Sequence, residues 1–290
     1  MPSLLVDILV GGAITGSVYA LVALGLNLQY GLMRVLNVAH GEFLMLGAYL
    51  TFSLHTGWGM NPLATMLVTG PVSFGAGLLL HRLLFARLLR ADDRTGTLES
   101  RSLLLSFGLM FVLQNVALLV WSADLRGYGY LATPIHVLGA VFPANRMLAA
   151  AVALGLGLML YVGLRQSLTG KAIRALMQDA EGAQLAGIDL PRLHRLAFAV
   201  GVTTSAMAGS LVSMLFEVTP FIGLPYTVTA LVVIILGGLG NIAGSLAGGL
   251  LLGLVETAAV YLAASDVRLI ASYAVLALVL LLRPSGLFAR

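Results

Sequence analysis

RQSLTGKAIRALMQDAEGAQLAGIDLPRLHR, residues Arg165 to Arg195, is an island of charge between long apolar runs. Arg165, Lys171, Arg174, Arg192 and Arg195 stand there beside Asp179, Glu181 and Asp189. Its middle, from Lys171 to Gly187, reads as one short helix. Ile173, Leu176, Ala180 and Ala183 fall on one face at three- and four-residue spacing, and Gly187 and Pro191 supply a stop. A helix of this kind, tied by apolar spans at both ends, is placed to receive force from a soluble partner. The plainer alternative is a solvated connecting helix, because charged faces usually meet water.

The flanks decide the class. The chain is 59% hydrophobic and 10% charged, with mean hydropathy +1.00, where soluble domains carry roughly 25% charged residues. It reads as an all-α polytopic membrane protein. With no cysteine among 290 residues there is neither a disulfide frame nor thiolate chemistry. A net charge of +4 can point to nucleic acid, but orientation in a lipid bilayer explains these basic residues better, so no nucleic-acid partner is expected. The start, MPSLLVDILVGG, lacks a basic n-region and runs straight into an apolar stretch, which argues against a cleaved signal peptide.

A hydrocarbon core about 30 Å thick needs about 20 apolar residues per helix. That ruler places spans near 5 to 29, 38 to 55, 61 to 85, 102 to 121, 147 to 164, 196 to 216, 226 to 239, 243 to 263 and 269 to 283. The seventh is short, so the count is eight to nine. With nine, thirteen of the sixteen Lys and Arg residues fall on one side, including Arg90, Arg94 and Arg290. Only Arg126, Arg146 and Arg268 fall on the other. The N-terminus is then outside and the C-terminus cytoplasmic. The longer loops, 86 to 101, 122 to 146 and 165 to 195, are too short for a soluble domain. Residues 1–290 therefore read as a single transmembrane domain with a cytoplasmic loop at 165–195.

Two arms look broken or re-entrant within the membrane. In YGLMRVLNVAHGEFLMLGAY, from Tyr30 to Tyr49, the polar Asn37, His40 and Glu42 open an otherwise apolar helix. A charge at the bilayer centre costs about 3 kcal/mol on insertion scales, so such groups face a bundle interior or cavity. Capping of the helix N-terminus by Glu42 and Asn37 explains them equally well, and both roles can hold. A metal site is not expected, because no second histidine stands at helical spacing. The second arm, LGGLGNIAGSLAGGLLLGLVET from Leu236 to Thr257, places Gly240, Gly244 and Gly248 four apart and adds Gly253. Such a stripe is a packing face, and GGLGN is a helix break that needs cover from protein or a watery cavity. Gln114 and Asn115, mid-span in LSFGLMFVLQNVALL, read as hydrogen-bonding glue across helices. Asn27, Gln29 and Glu256 are the other polar groups within the spans.

NVAHGEFLMLGAY (Asn37 to Tyr49), GKAIRALMQDAEGAQLAGID (Gly170 to Asp189) and the glycine-rich arm together resemble the permeases of branched-chain amino-acid ATP-binding-cassette transporters, specifically their shorter type. The likeness covers roughly residues 8 to 288. Val38 stands where Phe is common, Lys171 where Arg is, and Ala186 where Leu is. The resemblance implies an importer of two permeases, two cytoplasmic ATPases and a periplasmic binding protein in a bacterial inner membrane, and its pattern favours a paralogue over a second copy as the partner permease. This chain has no G-x-x-x-x-G-K-[ST], so ATP would bind to partner subunits and the chain itself needs no cofactor and is not an enzyme.

On that reading, closure of the ATPases moves the 171 to 187 helix and rocks the bundle. Lys171, Arg174, Asp179, Glu181 and Gly187 carry the coupling, with Gly187 as a helix stop, while Asn37, His40, Glu42, Gln114 and Asn115 line the pathway. Reversing Arg174 and Asp179 is expected to uncouple ATP hydrolysis. Similar systems carry urea, short amides or aromatic acids, so the cargo stays open. A stand-alone ion-coupled transporter would need a ladder of membrane-embedded charges that the spans do not offer. An intramembrane enzyme would need a nucleophile motif such as G-x-S-x-G, which is absent.

Overall fold

A computed structural model describes residues 2–89, 98–263 and 266–288. Arg90, Arg94 and Arg290, and with them part of the 86 to 101 loop, lie outside the described residues. In chain order the elements are α1 (Pro2–Met33), α2 (His40–Trp58), α3 (Pro62–Leu80), a π turn (His81–Phe85) running into α4 (Ala86–Leu88), and α5 (Leu98–Trp121). Strands β1 (Pro134–Val137) and β2 (Ala140–Pro143) follow, then α6 (Ala144–Gln166), α7 (Leu168–Gln178) and α8 (Ala180–Leu185). The chain closes with α9 (Leu190–Ser213), α10 (Gly223–Gly237), α11 (Ile242–Leu262) and α12 (Val267–Leu282).

Among the described residues six stretches are long and apolar enough to cross a membrane: Leu4–Met33, Pro62–Leu88, Leu98–Trp121, Ala144–Gln166, Leu190–Ser213 and Ile242–Leu262. α10 and α12 are apolar but shorter. The protein is thus a mostly helical, multi-pass membrane protein. Helix starts follow local chemistry. Asn61 accepts from Leu63 N ahead of Pro62, and Asp189 accepts from Arg192 N ahead of Pro191, each satisfying an otherwise orphaned N–H where proline loses nothing.

α1 is the axis of the bundle. From Val18 through Leu28 it is buried on all sides, which is why its apolar residues show no single stripe. It meets α11 through small residues. A Cβ on Gly16 would lie 2.7 Å from Leu250 Cα, and one on Gly253 would lie 2.4 Å from Gly16 Cα, so the two backbones approach as only small side chains permit. At the periphery α5, α6 and α12 expose Leu104, Leu119, Met159 and Leu281. An apolar outer surface of this kind suits lipid rather than water.

Two segments differ from the reading above. The 122 to 146 loop contains an antiparallel hairpin, with Val137 paired to Ala140 across a two-residue turn. Leu138 and Gly139 both take positive φ, 49° and 90°, the backbone a tight hairpin requires. Leu-Gly is not the usual Asn-Gly signal, so sequence patterning passes over it. The 171 to 187 segment, expected as one helix, is two, α7 and α8, hinged at Asp179. That residue is extended (φ −148°, ψ 104°) and its Oδ1 accepts from Glu181 N and Gly182 N, both at 3.1 Å. A carboxylate that caps a new helix competes with continuation of the old one. In consequence Ala180, expected on the buried face, is exposed, while Ile173, Leu176 and Ala183 are buried.

Candidate functional site

Beyond Met33 the chain unwinds over residues 34–39, climbs back along α1 and restarts as α2 at His40. His40 Nε2 donates to Val22 O at 3.0 Å, so α2 begins beside the middle of α1 rather than at its end. α10 also begins inside the bundle. Gly41 N donates to Thr227 Oγ1 at 2.8 Å, and Thr227 Oγ1 donates to Val38 O at 3.1 Å. A Cβ on Gly41 would overlap Gly223 O. Glycine at position 41 is what lets the first turns of α2 and α10 touch.

Glu42 sits where these two N-termini meet. It is fully buried, its carboxyl group lies against the first residue of α10, Gly223, and its Oε1 accepts from Gln114 Nε2 of α5 at 3.0 Å. Helix N-termini carry partial positive charge, which favours an acid here. Asn37 Nδ2 donates to Gln29 Oε1 at 3.1 Å, and Gln29 Nε2 donates to Phe198 O at 3.1 Å. Ser205 Oγ of α9 donates to His40 O at 2.8 Å. Glu42 Oε2, His40 Nδ1 and Asn37 Oδ1 are buried without a partner among the described residues. Unpaired buried acceptors are costly.

The structure pairs Glu42 with Gln114, while Asn37 bonds Gln29 and His40 bonds Val22, both of α1. It leaves Asn115 apart, exposed on the far side of α5 and donating to Phe111 O in its own helix at 2.8 Å. Among the described residues no group of three or more His, Cys, Asp or Glu side chains is placed to hold a metal ion. Gln29, Ser205 and Thr227 bond to Asn37, His40 O and Gly41 N without having been singled out for it. Gln29 is visible in the sequence only as a polar residue within a span, and a lone Ser or Thr in a helix gives no signal.

The second arm is held by one residue of α1. Asn27 Nδ2 donates to Asn241 O at 2.9 Å and Ser245 Oγ at 2.6 Å, and its Oδ1 accepts from Gly240 N at 2.6 Å. One amide thus satisfies Gly240 N in the break and adds a donor to Asn241 O, which also accepts from Ser245 N, and Asn241 Oδ1 caps α11 through Gly244 N at 3.0 Å. Of the glycine stripe, Gly244 and Gly248 lie against α10 and Gly253 against α1. Gly240 lies outside the helix, at φ 82° in the break.

On α7 and α8, Lys171 and Glu181 are exposed. Arg174 is exposed as well but folds back on its own chain, donating through Nη1 to Leu164 O and through Nη2 to Arg165 O at 3.1 Å. It closes the carbonyl end of α6, where a cation is favoured. Asp179 is the cap described above, and Gly187, at φ 84°, follows the end of α8 in the left-handed region.

Apolar helices around a buried polar junction, with a charged helix pair hung from one end of the bundle, define a polytopic membrane transport protein. The profile of the family described as branched-chain amino acid transport system / permease component matches residues 8–283. The chain belongs to that family, whose members are transport permeases and not enzymes. It is 29% identical over 289 residues to the high-affinity branched-chain amino acid transport system permease protein LivH of Escherichia coli K12, covering 96% of this chain and 94% of the relative. It is 30% identical to BraD of Pseudomonas aeruginosa, covering 97% and 95%, and 25% identical to a probable LivH of Methanocaldococcus jannaschii, covering 89% and 82%. No solved structure matches the chain significantly.

Proposed function

We propose that this chain is the membrane subunit of an ATP-driven importer of branched-chain or other hydrophobic amino acids, seated in a bacterial inner membrane. Family membership supports the transport role, and the names of its relatives support the cargo. The observation that carries the pathway is the junction at Glu42, where two helix N-termini meet and a fully buried carboxyl group keeps one oxygen, Oε2, unpartnered. Broken helices with their termini at mid-depth suit binding of a charged solute that must also be released.

Residues 1–290 form one permease domain. α2, α10 and α12 join the six long spans to make nine crossings, with α10, at 15 residues or about 22 Å, starting within the bundle and crossing only part of a core about 30 Å thick. The N-terminus then lies outside, and α7 and α8 face the cytoplasm. Two ATPases bind ATP and engage the exposed face of α7 and α8 around Lys171 and Glu181, a second permease of related sequence completes the pathway, and a periplasmic binding protein delivers the cargo.

Import is tested in proteoliposomes holding the chain with its partner permease, ATPases and binding protein. ATP-dependent uptake of radiolabelled L-leucine that survives an ionophore supports the reading. Uptake that needs no ATP and collapses with the ionophore would favour a secondary transporter instead.

A further inference from the structure

A second polar cluster stands where α1, α10, α11 and α12 meet. Glu256 is 2% exposed. Its Oε2 accepts from Tyr19 Oη at 2.8 Å and from Arg268 Nε at 2.7 Å, and its Oε1 accepts from Ser272 Oγ at 2.5 Å. The Arg268 guanidinium also donates to the Tyr19 hydroxyl. This cluster forms one wall of a cavity of about 670 Å³, whose other walls include Tyr226, Thr229, Leu252 and Tyr273, with Asp266 also lining it. The pair is asymmetric. The Glu256 side chain is 3% exposed and that of Arg268 43%, so the acid is fixed in the wall while the guanidinium reaches in from the mouth.

A free amino acid presents an ammonium and a carboxylate one carbon apart, and beside them a side chain that here is apolar. A site for it needs an acid and a base side by side, next to an apolar or aromatic surface. Pockets for small molecules have this make-up, mostly apolar with a few convergent polar groups. A buried ion pair with no ligand to serve returns little net stability, whereas an exchangeable one can trade partners with a zwitterion.

We propose that this cavity is a binding station for the zwitterionic amino acid in the outer half of the permease. Glu256 and the Tyr19 hydroxyl take the ammonium, Arg268 turns to the carboxylate, and Tyr226, Leu252 and Tyr273 receive the apolar side chain. The station rests on the importer reading above and lies apart from the Glu42 junction, from which it is separated by the first turns of α10.

The chain has no cysteine, so Thr229→Cys places a single thiol of this subunit at the cavity. In the reconstituted complex, labelling of that thiol by a membrane-impermeant maleimide should slow severalfold with millimolar L-leucine. It should not slow with leucine methyl ester, which lacks the carboxylate, or with 4-methylpentanoate, which lacks the ammonium. Protection should vanish in Glu256→Gln and weaken in Arg268→Lys. If Glu256→Gln does not assemble, the two analogues and Arg268→Lys decide alone. Labelling unchanged by leucine, or slowed equally by all three compounds, in a complex whose wild type imports leucine would overturn the station and leave the importer reading standing. Absence of ATP-dependent import by the wild type would instead strike the importer reading.

Discussion

Met177 of α7 lies against Gly240 in the break between α10 and α11. A Cβ on Gly240 would come within 3.1 Å of the Met177 methyl group, and one on Gly31, at the end of α1, within 2.6 Å. The charged helix is therefore plugged into the bundle where the two broken arms begin. Its buried Ile173 and Leu176 line the same apolar cluster as Leu32 and Met33. Met177 thus puts α7 in direct contact with the break that Asn27 holds.

Gly240→Ala should weaken this contact twice over. The φ of 82° is left-handed, a conformation that costs an L-residue about 1–2 kcal/mol, and the new methyl presses on Met177. A melting temperature lowered by several degrees in detergent, with ATPase stimulation by the binding protein reduced more than assembly, is the expected result.

Asn27→Ala leaves Gly240 N without its partner and takes one of two donors from Asn241 O, which keeps Ser245 N at 3.0 Å. Each unsatisfied buried group costs about 1–3 kcal/mol. Thermal unfolding of the purified complex should show a larger loss than for Asn115→Ala, whose side chain bonds only within its own helix at the exposed face of α5. Equal losses would remove Asn27 from its clamping role.

Glu42→Gln keeps the shape of the side chain and can still accept from Gln114, so the fold should be nearly unchanged. L-leucine import should fall by about tenfold or more, which corresponds to about 1.4 kcal/mol in the barrier, because the amide puts an N–H donor where the carboxyl group offers the unpartnered oxygen Oε2. Glu42→Ala should lose both import and stability. Unimpaired import by Glu42→Gln would take Glu42 out of the pathway.

The bonds of Arg174 to the end of α6 and the capping role of Asp179 change what charge reversal at those positions reports. Asp179→Ala removes a cap and should cost about 1 kcal/mol, confounding any loss of coupling. Lys171→Glu with Glu181→Lys alters the exposed face alone, and should leave melting unchanged while abolishing most ATPase stimulation. Stimulation at the wild-type level would place the contact elsewhere.

Much of this was legible in the sequence. Apolar length marks the long helices and GGLGN marks the break, whereas Pro191, read as a stop, stands in the first turn of α9 behind the Asp189 cap. The H-G-E run at residues 40–42 marks the buried junction. What sequence patterning does not reveal is partnership. Asn27 meets residues more than 210 positions away, Tyr19 meets Glu256 across 237, and helical periodicity tells which face of a span is polar without telling which helix it faces. Arg268 reads as an outer-loop residue because it stands at the start of α12, although its guanidinium reaches back to a buried acid. The hinge at Asp179 is missed because the apolar spacing runs through it undisturbed, while one carboxylate cap overrides that spacing.

The most direct test of the coupling geometry uses the absence of native cysteine. With Glu181→Cys in the assembled complex, a short thiol cross-linker added from the cytoplasmic side should join this chain to an ATPase subunit, while Thr56→Cys at the far end of α2 should not. Failure of Glu181→Cys to reach an ATPase, or its labelling by an impermeant reagent from outside intact cells, would contradict the account.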